Sequence, residues 1–165
     1  MRCIQLEPLT VEAFAPFGDV IEAPVTGGVS ANSGTALRFD DVGTLDLTAE
    51  AASACVSIFR SEPTATPLLC RVMERHPLST QMFVALQPYP FIVVVAGGGA
   101  ERPDPSSLRA FRTNGAQGVN YRRALWHHPL IALDMRTDFV MVGRKGPDNF
   151  ELVDLAEPVR VELAP

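Results

Sequence analysis

The run Phe91-Ile92-Val93-Val94-Val95-Ala96 constrains the fold of this chain most strongly. It lies between the turn residues Pro88-Tyr89-Pro90 and Gly97-Gly98-Gly99. It is too short to span a bilayer and shorter than ordinary core helices, and its β-branched residues favour extended backbone. A continuous apolar run of this length predicts a fully buried strand. Other strand-like segments surround it: Cys55–Arg60, Leu68–His76, Gln81–Leu86, Leu108–Arg112, Val119–Tyr121, Ile131–Met135, Phe139–Val142, Phe150–Leu155 and Val159–Leu163. Shorter candidates fall at residues 3–6, 19–22 and 37–39. Pro, Gly, Asn and Asp punctuate the gaps, with Arg136-Thr137-Asp138 reading as a hairpin turn and residues 23–36 and 143–149 as loops. Thr10 can cap a helix of about two turns that Pro16 limits and Gly18 ends. Short strands at regular spacing predict an all-β sandwich or barrel, folded as a single domain over residues 1–165.

The net charge is −5, no basic block exists, and Lys145 is the single lysine. That composition argues against a nucleic-acid or anionic-membrane partner. Cys3, Cys55 and Cys70 are odd in number and widely spaced, which predicts no disulfide framework and a reducing compartment. The first residues, Met1 to Pro8, carry no apolar leader, so the expectation is a cytoplasmic protein. Phosphate-loop, Rossmann and nucleophile-elbow patterns are absent from the sequence.

All three histidines fall between Glu74 and Leu133. Glu74 and His76 are two apart on a predicted strand and share a face with Val72, while Met73 and Arg75 take the other. Gln81 opens the next strand after a tight turn and can return beside them. His127 and His128 are adjacent, so on a strand they point to opposite faces. The expectation is that the Glu74–Gln81 and Asn120–Leu130 segments face each other across a barrel interior and form one pocket. Spacing alone favours solvated or internally satisfied side chains for Glu74 and His76, and does not decide between wall and site for His127 and His128. An inward arginine would bind a carboxylate through its fork. Arg60, Arg71, Arg75, Arg109, Arg122, Arg123 and Arg136 lie in strand contexts, and spacing does not choose among them.

Three stretches taken together are specific: Glu74-Arg75-His76-Pro77-Leu78-Ser79-Thr80-Gln81-Met82-Phe83, Asn114-Gly115-Ala116-Gln117-Gly118-Val119-Asn120-Tyr121, and Trp126-His127-His128-Pro129-Leu130. Their combination resembles the ureidoglycolate lyase family. Leu9–Glu22, Asn32-Ser33-Gly34 and Ser57-Ile58-Phe59-Arg60 extend the resemblance over nearly the whole chain. The resemblance implies a cupin fold, a jelly-roll-like double-stranded β-barrel with a short N-terminal helix, in a homodimer. It implies cleavage of ureidoglycolate to glyoxylate and urea in allantoin breakdown. It places Glu74, His76 and Gln81 at the first-motif ligand positions of metal cupins and His127 at the second-motif position. A divalent metal would therefore be held by Glu74, His76, Gln81 and His127, and the family associates nickel with activity. The amide of Gln81 departs from the usual set, and a neutral ligand weakens such a site. On this basis Glu74 and His76 take the proton-transfer roles and His127 orients them, while Gln81, Arg60 and the loop residue Asn32 are the substrate-binding candidates. The competing expectations are a metal-dependent isomerase or dioxygenase acting on a small acid, and a non-enzymatic cupin that binds small carboxylates.

Overall fold

A computed structural model describes residues 1–163. In chain order the elements are β1 (Arg2–Pro8), α1 (Val11–Phe14), β2 (Gly18–Ile21), β3 (Val29–Ala31), β4 (Ala36–Arg38), β5 (Ser53–Ser61), β6 (Leu68–Arg75), β7 (Gln81–Ala85), β8 (Phe91–Ala96), β9 (Arg109–Arg112), β10 (Gly118–Tyr121), β11 (Trp126–His127), β12 (Ile131–Ala132), β13 (Thr137–Lys145) and β14 (Glu151–Glu162). Strands β6, β14, β1, β9, β8 and β11 pair in that order, and β11 pairs back onto β6, which closes a six-stranded ring. The second sheet runs β2-β10-β7-β13-β5. The all-β, cupin-type barrel with one short helix is thus present.

Strand β8 explains the architecture. Ile92, Val94 and Ala96 point into a core that all six ring strands line, together with Met73, Cys70, Trp126, Ala110, Ile4 and Val161. Phe91, Val93 and Val95 point the other way, into a second core shared with the five-stranded sheet through Phe83, Val119, Tyr121 and Phe139. The strand is a wall between two apolar interiors, so neither of its faces tolerates polar residues. Its six residues are all buried.

Several sequence expectations are corrected. Helix α1 is one turn, not two. Thr10 Oγ1 accepts from Ala13 N at 3.1 Å as a proper cap, and Pro16 then prevents continuation. Gly18, at φ 151, lets β2 approach β10 so closely that a Cβ there would lie 2.0 Å from the Asn120 carbonyl oxygen. The second half of the expected loop at residues 23–36 instead enters a hairpin, β3 with β4 over residues 29–38, around a turn in which Asn32 and Ser33 take positive φ. Thr137 and Asp138 already belong to β13, paired with Ser61 and Arg60, so the bend comes earlier, at Asp134 and Met135. The two expected terminal strands are one, β14, with its register shifted between Asp154 and Val159. Pro158, which has no N–H to donate, sits at that irregularity.

Candidate active site

The site forms where the outer face of β6 and β11 meets the five-stranded sheet. Alternation on β6 sends Met73 into the ring core and Glu74 out of it, as the sequence predicts. His76 follows just beyond the strand end. The Glu74–Gln81 and Asn120–Leu130 segments do not simply oppose each other. His127 is the direct strand neighbour of Glu74, and Gln81 approaches from β7 in the other sheet, paired with Tyr121. Ligand atoms of Glu74, His76 and His127 all lie within 4.8 Å of one another. His127 is 2 % exposed and Gln81 8 %.

Backbone carbonyls set both histidine tautomers. His76 Nδ1 lies 2.7 Å from the Asn149 carbonyl oxygen, and His127 Nδ1 lies 2.9 Å from that of Leu125. A carbonyl only accepts, so each Nδ1 carries the proton, and the neutral form of each ring presents a bare Nε2 to the site. Among the described residues both Nε2 atoms are buried without a hydrogen-bond partner, and so is Gln81 Oε1. His127 Nε2 faces Glu74 Oε1 at 3.4 Å. Two lone pairs at that distance repel unless a proton or a cation lies between them. The donor set therefore fits a divalent ion held by Glu74, His76 and His127 with the Gln81 carbonyl oxygen alongside.

Burial alone would raise the Glu74 carboxyl. The neighbouring imidazoles, His127 first and then His76 and His128, outweigh burial and hold it below the ordinary range. Burial, and then His127, lower the His76 imidazole, so it is unprotonated near neutral pH. Burial likewise lowers His128, whose Nδ1 is tied to the Pro129 carbonyl 2.7 Å away. Burial, and then Glu74, push the Tyr121 phenol up, which keeps it protonated.

A cavity of about 440 Å³ opens on His76 and Gln81, with Phe59, Arg144, Asn149 and Phe150 among its walls. Arg60 does not reach it. Arg60 lies on the outer face of β5, with Nε 2.8 Å and Nη2 2.9 Å from the two carboxylate oxygens of Asp138. Asn32 stands exposed at the tip of the β3–β4 turn, also outside the cavity. The cation that the cavity does contain is Arg144, whose side chain is 1 % exposed. Its Nε donates to the Ala49 carbonyl and its Nη1 to that of Pro147, and Nη2 meets Glu50 only at 3.7 Å. Sequence reasoning assigned residues 143–149 to a loop and so passed over it. The available signal was the continuous apolar run Phe139–Val142 leading directly to Gly143 and Arg144.

Asn149 is a second residue missed in that loop. Its carbonyl orients His76, its Oδ1 accepts from Leu78 N at 2.9 Å, and its Nδ2 donates to Ser79 Oγ at 2.9 Å. It locks the His76–Thr80 turn to the start of β14.

The fold and site define a cupin-type barrel with a Glu/His/Gln/His donor set. Comparison with known sequences carries the assignment further. The family model described as ureidoglycolate lyase matches residues 1–162, and the chain belongs to that family. A protein named ureidoglycolate lyase from Stutzerimonas stutzeri (strain A1501) is 46% identical over 149 residues, covering 90% of this chain and 87% of that protein. One from Pseudomonas entomophila (strain L48) is 46% identical, with 90% and 89% covered. Among solved structures, a dTDP sugar isomerase from Desulfovibrio desulfuricans G20 superposes with a TM-score of 0.45 at 16% identity, over 82% of this chain and 80% of that one. A Bacillus subtilis oxalate decarboxylase mutant gives 0.43 at 13% identity, over 64% and 24%. The fold assignment rests on the strand pairing itself, and family membership does not favour the isomerase, dioxygenase or binding-module expectations. Among the described residues no helix is long and apolar enough to cross a membrane.

Proposed function

We propose that this chain cleaves ureidoglycolate to glyoxylate and urea. The observation that carries the chemical reading is the pair of tautomer-fixed histidines with bare Nε2 atoms beside an ionised Glu74, in a chain of this family. The substrate carbon bears a hydroxyl, a carboxylate and a ureido nitrogen. Cleavage breaks the C–N bond, turns C–OH into C=O and adds no water. The proton leaving the hydroxyl equals the proton the nitrogen needs, so one group can carry it across.

His76 takes the hydroxyl proton on Nε2 and returns it to the departing nitrogen. Glu74 stabilises the imidazolium in between, and His127, held through Leu125, stands against Glu74 on the neighbouring strand and orients the pair. Gln81 donates its amide N–H to a ureido or carboxylate oxygen. Arg144 holds the carboxylate through the N–H groups that only weakly meet Glu50. Asn32 has no part in this arrangement within one copy. Where a divalent ion is bound, nickel in keeping with the family resemblance, Glu74, His76, Gln81 and His127 would hold it, its Lewis acidity would lower the pKa of the substrate hydroxyl, and His76 Nε2 would then serve as a ligand in place of carrying the proton. The protein acts as a homodimer in this account, in keeping with the same resemblance.

The test is product identity. Purified protein given racemic ureidoglycolate should release urea and glyoxylate in equal amounts and stop when half the racemate is consumed. Ammonia in place of urea, or no release, would refute the proposal.

A further inference from the structure

Tyr121 has no task in the reaction as assigned, yet it is built into the site. The residue is 1 % exposed. Its ring stacks on His127 with centroids 4.2 Å apart and planes 20° apart. Phe83 and Phe14 confine it from other sides, with centroids at 6.3 Å and 6.4 Å. In the sheet it pairs with Gln81. Despite that burial, its hydroxyl has no hydrogen-bond partner among the described residues. Burying an unpaired hydroxyl is unfavourable, and a phenylalanine of the same shape would avoid the cost. The other partnerless atoms of the site, His76 Nε2, His127 Nε2 and Gln81 Oε1, all carry lone pairs, whereas the phenol supplies an O–H donor.

We propose that Tyr121 is a further ligand-binding residue of this site, its ring fixing the plane of His127 and its hydroxyl donating a hydrogen bond to an oxygen of a bound small oxo- or hydroxycarboxylate. The assignment rests on the lyase reading above for the identity of the ligand, not for the existence of the donor. The phenol reads an acceptor oxygen and transfers no proton.

Tyr121→Phe keeps the ring and removes only the donor. With the protein carrying whatever metal it is purified with, two readouts are needed: kcat/KM for urea release, and the affinity for glyoxylate by titration calorimetry. Loss of a hydrogen bond to a charged ligand predicts a fall in kcat/KM of about 10- to 100-fold and a similar weakening of glyoxylate binding. The Tm of ligand-free Tyr121→Phe should equal or exceed that of wild type, because an unpaired buried hydroxyl has gone. Tyr121→Leu, which also removes the stack, should lose more turnover than Tyr121→Phe.

Wild-type kcat/KM and glyoxylate affinity in Tyr121→Phe overturn the inference. A lowered Tm with unchanged function overturns it too, because the hydroxyl is then structural. If wild type releases no urea but Tyr121→Phe still binds glyoxylate more weakly, the lyase reading fails and this one stands. A wild type that does not bind millimolar glyoxylate overturns this inference whether or not it turns over.

Discussion

Trp126 and His127 are neighbours in sequence and belong to different interiors. Trp126 fills the closed ring with Met73, Ile92 and Val159, and its Nε1 donates to the Gly99 carbonyl at 3.0 Å. That interior is apolar, and burial there pushes the Cys70 thiol up to about 12, so it is inert. The space on the far side of the same strands is apolar for most of its depth but ends in Glu74, His76, Gln81, Tyr121 and His127. One interior has its polar needs met. The other leaves four of these five side chains with a buried atom that has no partner among the described residues. Buried polar atoms without partners are rare in folded proteins, and their clustering marks where a ligand belongs. At the adjacent pairs Met73–Glu74 and Trp126–His127, strand alternation does the sorting: one residue of each pair enters the ring core and the other faces the polar cluster.

Substitutions of neighbouring residues can break or sharpen that division. The largest effect is expected from Glu74→Gln, which keeps the shape and removes the charge that stabilises the imidazolium. Turnover should fall by about 10²–10⁴-fold with little change in thermal stability, measured by urea release and calorimetry. Trp126→Ala, from the opposite parity, should cost about 3–5 kcal/mol of stability by denaturant unfolding. The molecules that stay folded should keep most of their turnover. Arg144→Lys keeps a charge but loses the rigid fork. KM should rise about 10-fold or more while kcat changes less, if this residue holds the carboxylate.

The smallest effect lies far from either interior. Arg109 donates to both carboxylate oxygens of Glu7, and that hydrogen bond holds the Glu7 carboxyl below its ordinary 4.5. A carboxyl depressed in the folded state stabilises above its unfolded pKa, and this stabilisation is lost as pH falls through the folded value. Both side chains are more than a third exposed, so the pair contributes about 0.2–1 kcal/mol at most. The Tm gap between wild type and Glu7→Gln should therefore be small at pH 7 and close as the pH is lowered beneath 4.5.

Local features were legible in the sequence because local physics sets them. The Thr10 cap, the doubly buried Phe91–Ala96 strand and the common face of Glu74 and His76 follow from period and residue type. Ring closure was not legible. It depends on β1 lying parallel to both β14 and β9, pairings between residues more than a hundred positions apart that no local pattern encodes. The same gap explains the arginines. Arg60 looked suitable on a good strand, but only the pairing of β5 with β13 reveals that Asp138 sits beside it on the outer face. Arg144 looked like loop, and only tertiary contacts with Ala49 and Pro147 bring it to the cavity. The resemblance placed Glu74, His76, Gln81 and His127 together, and the structure brings those four together with Tyr121.

The most direct measurement compares His76→Ala with wild type for turnover and for thermal unfolding in the same preparation. Turnover should fall by about 10³-fold or more with Tm changed by no more than about 4 °C, since the ring is half-buried at the cavity rather than packed in either core. Near-wild-type turnover in a folded His76→Ala protein would contradict it.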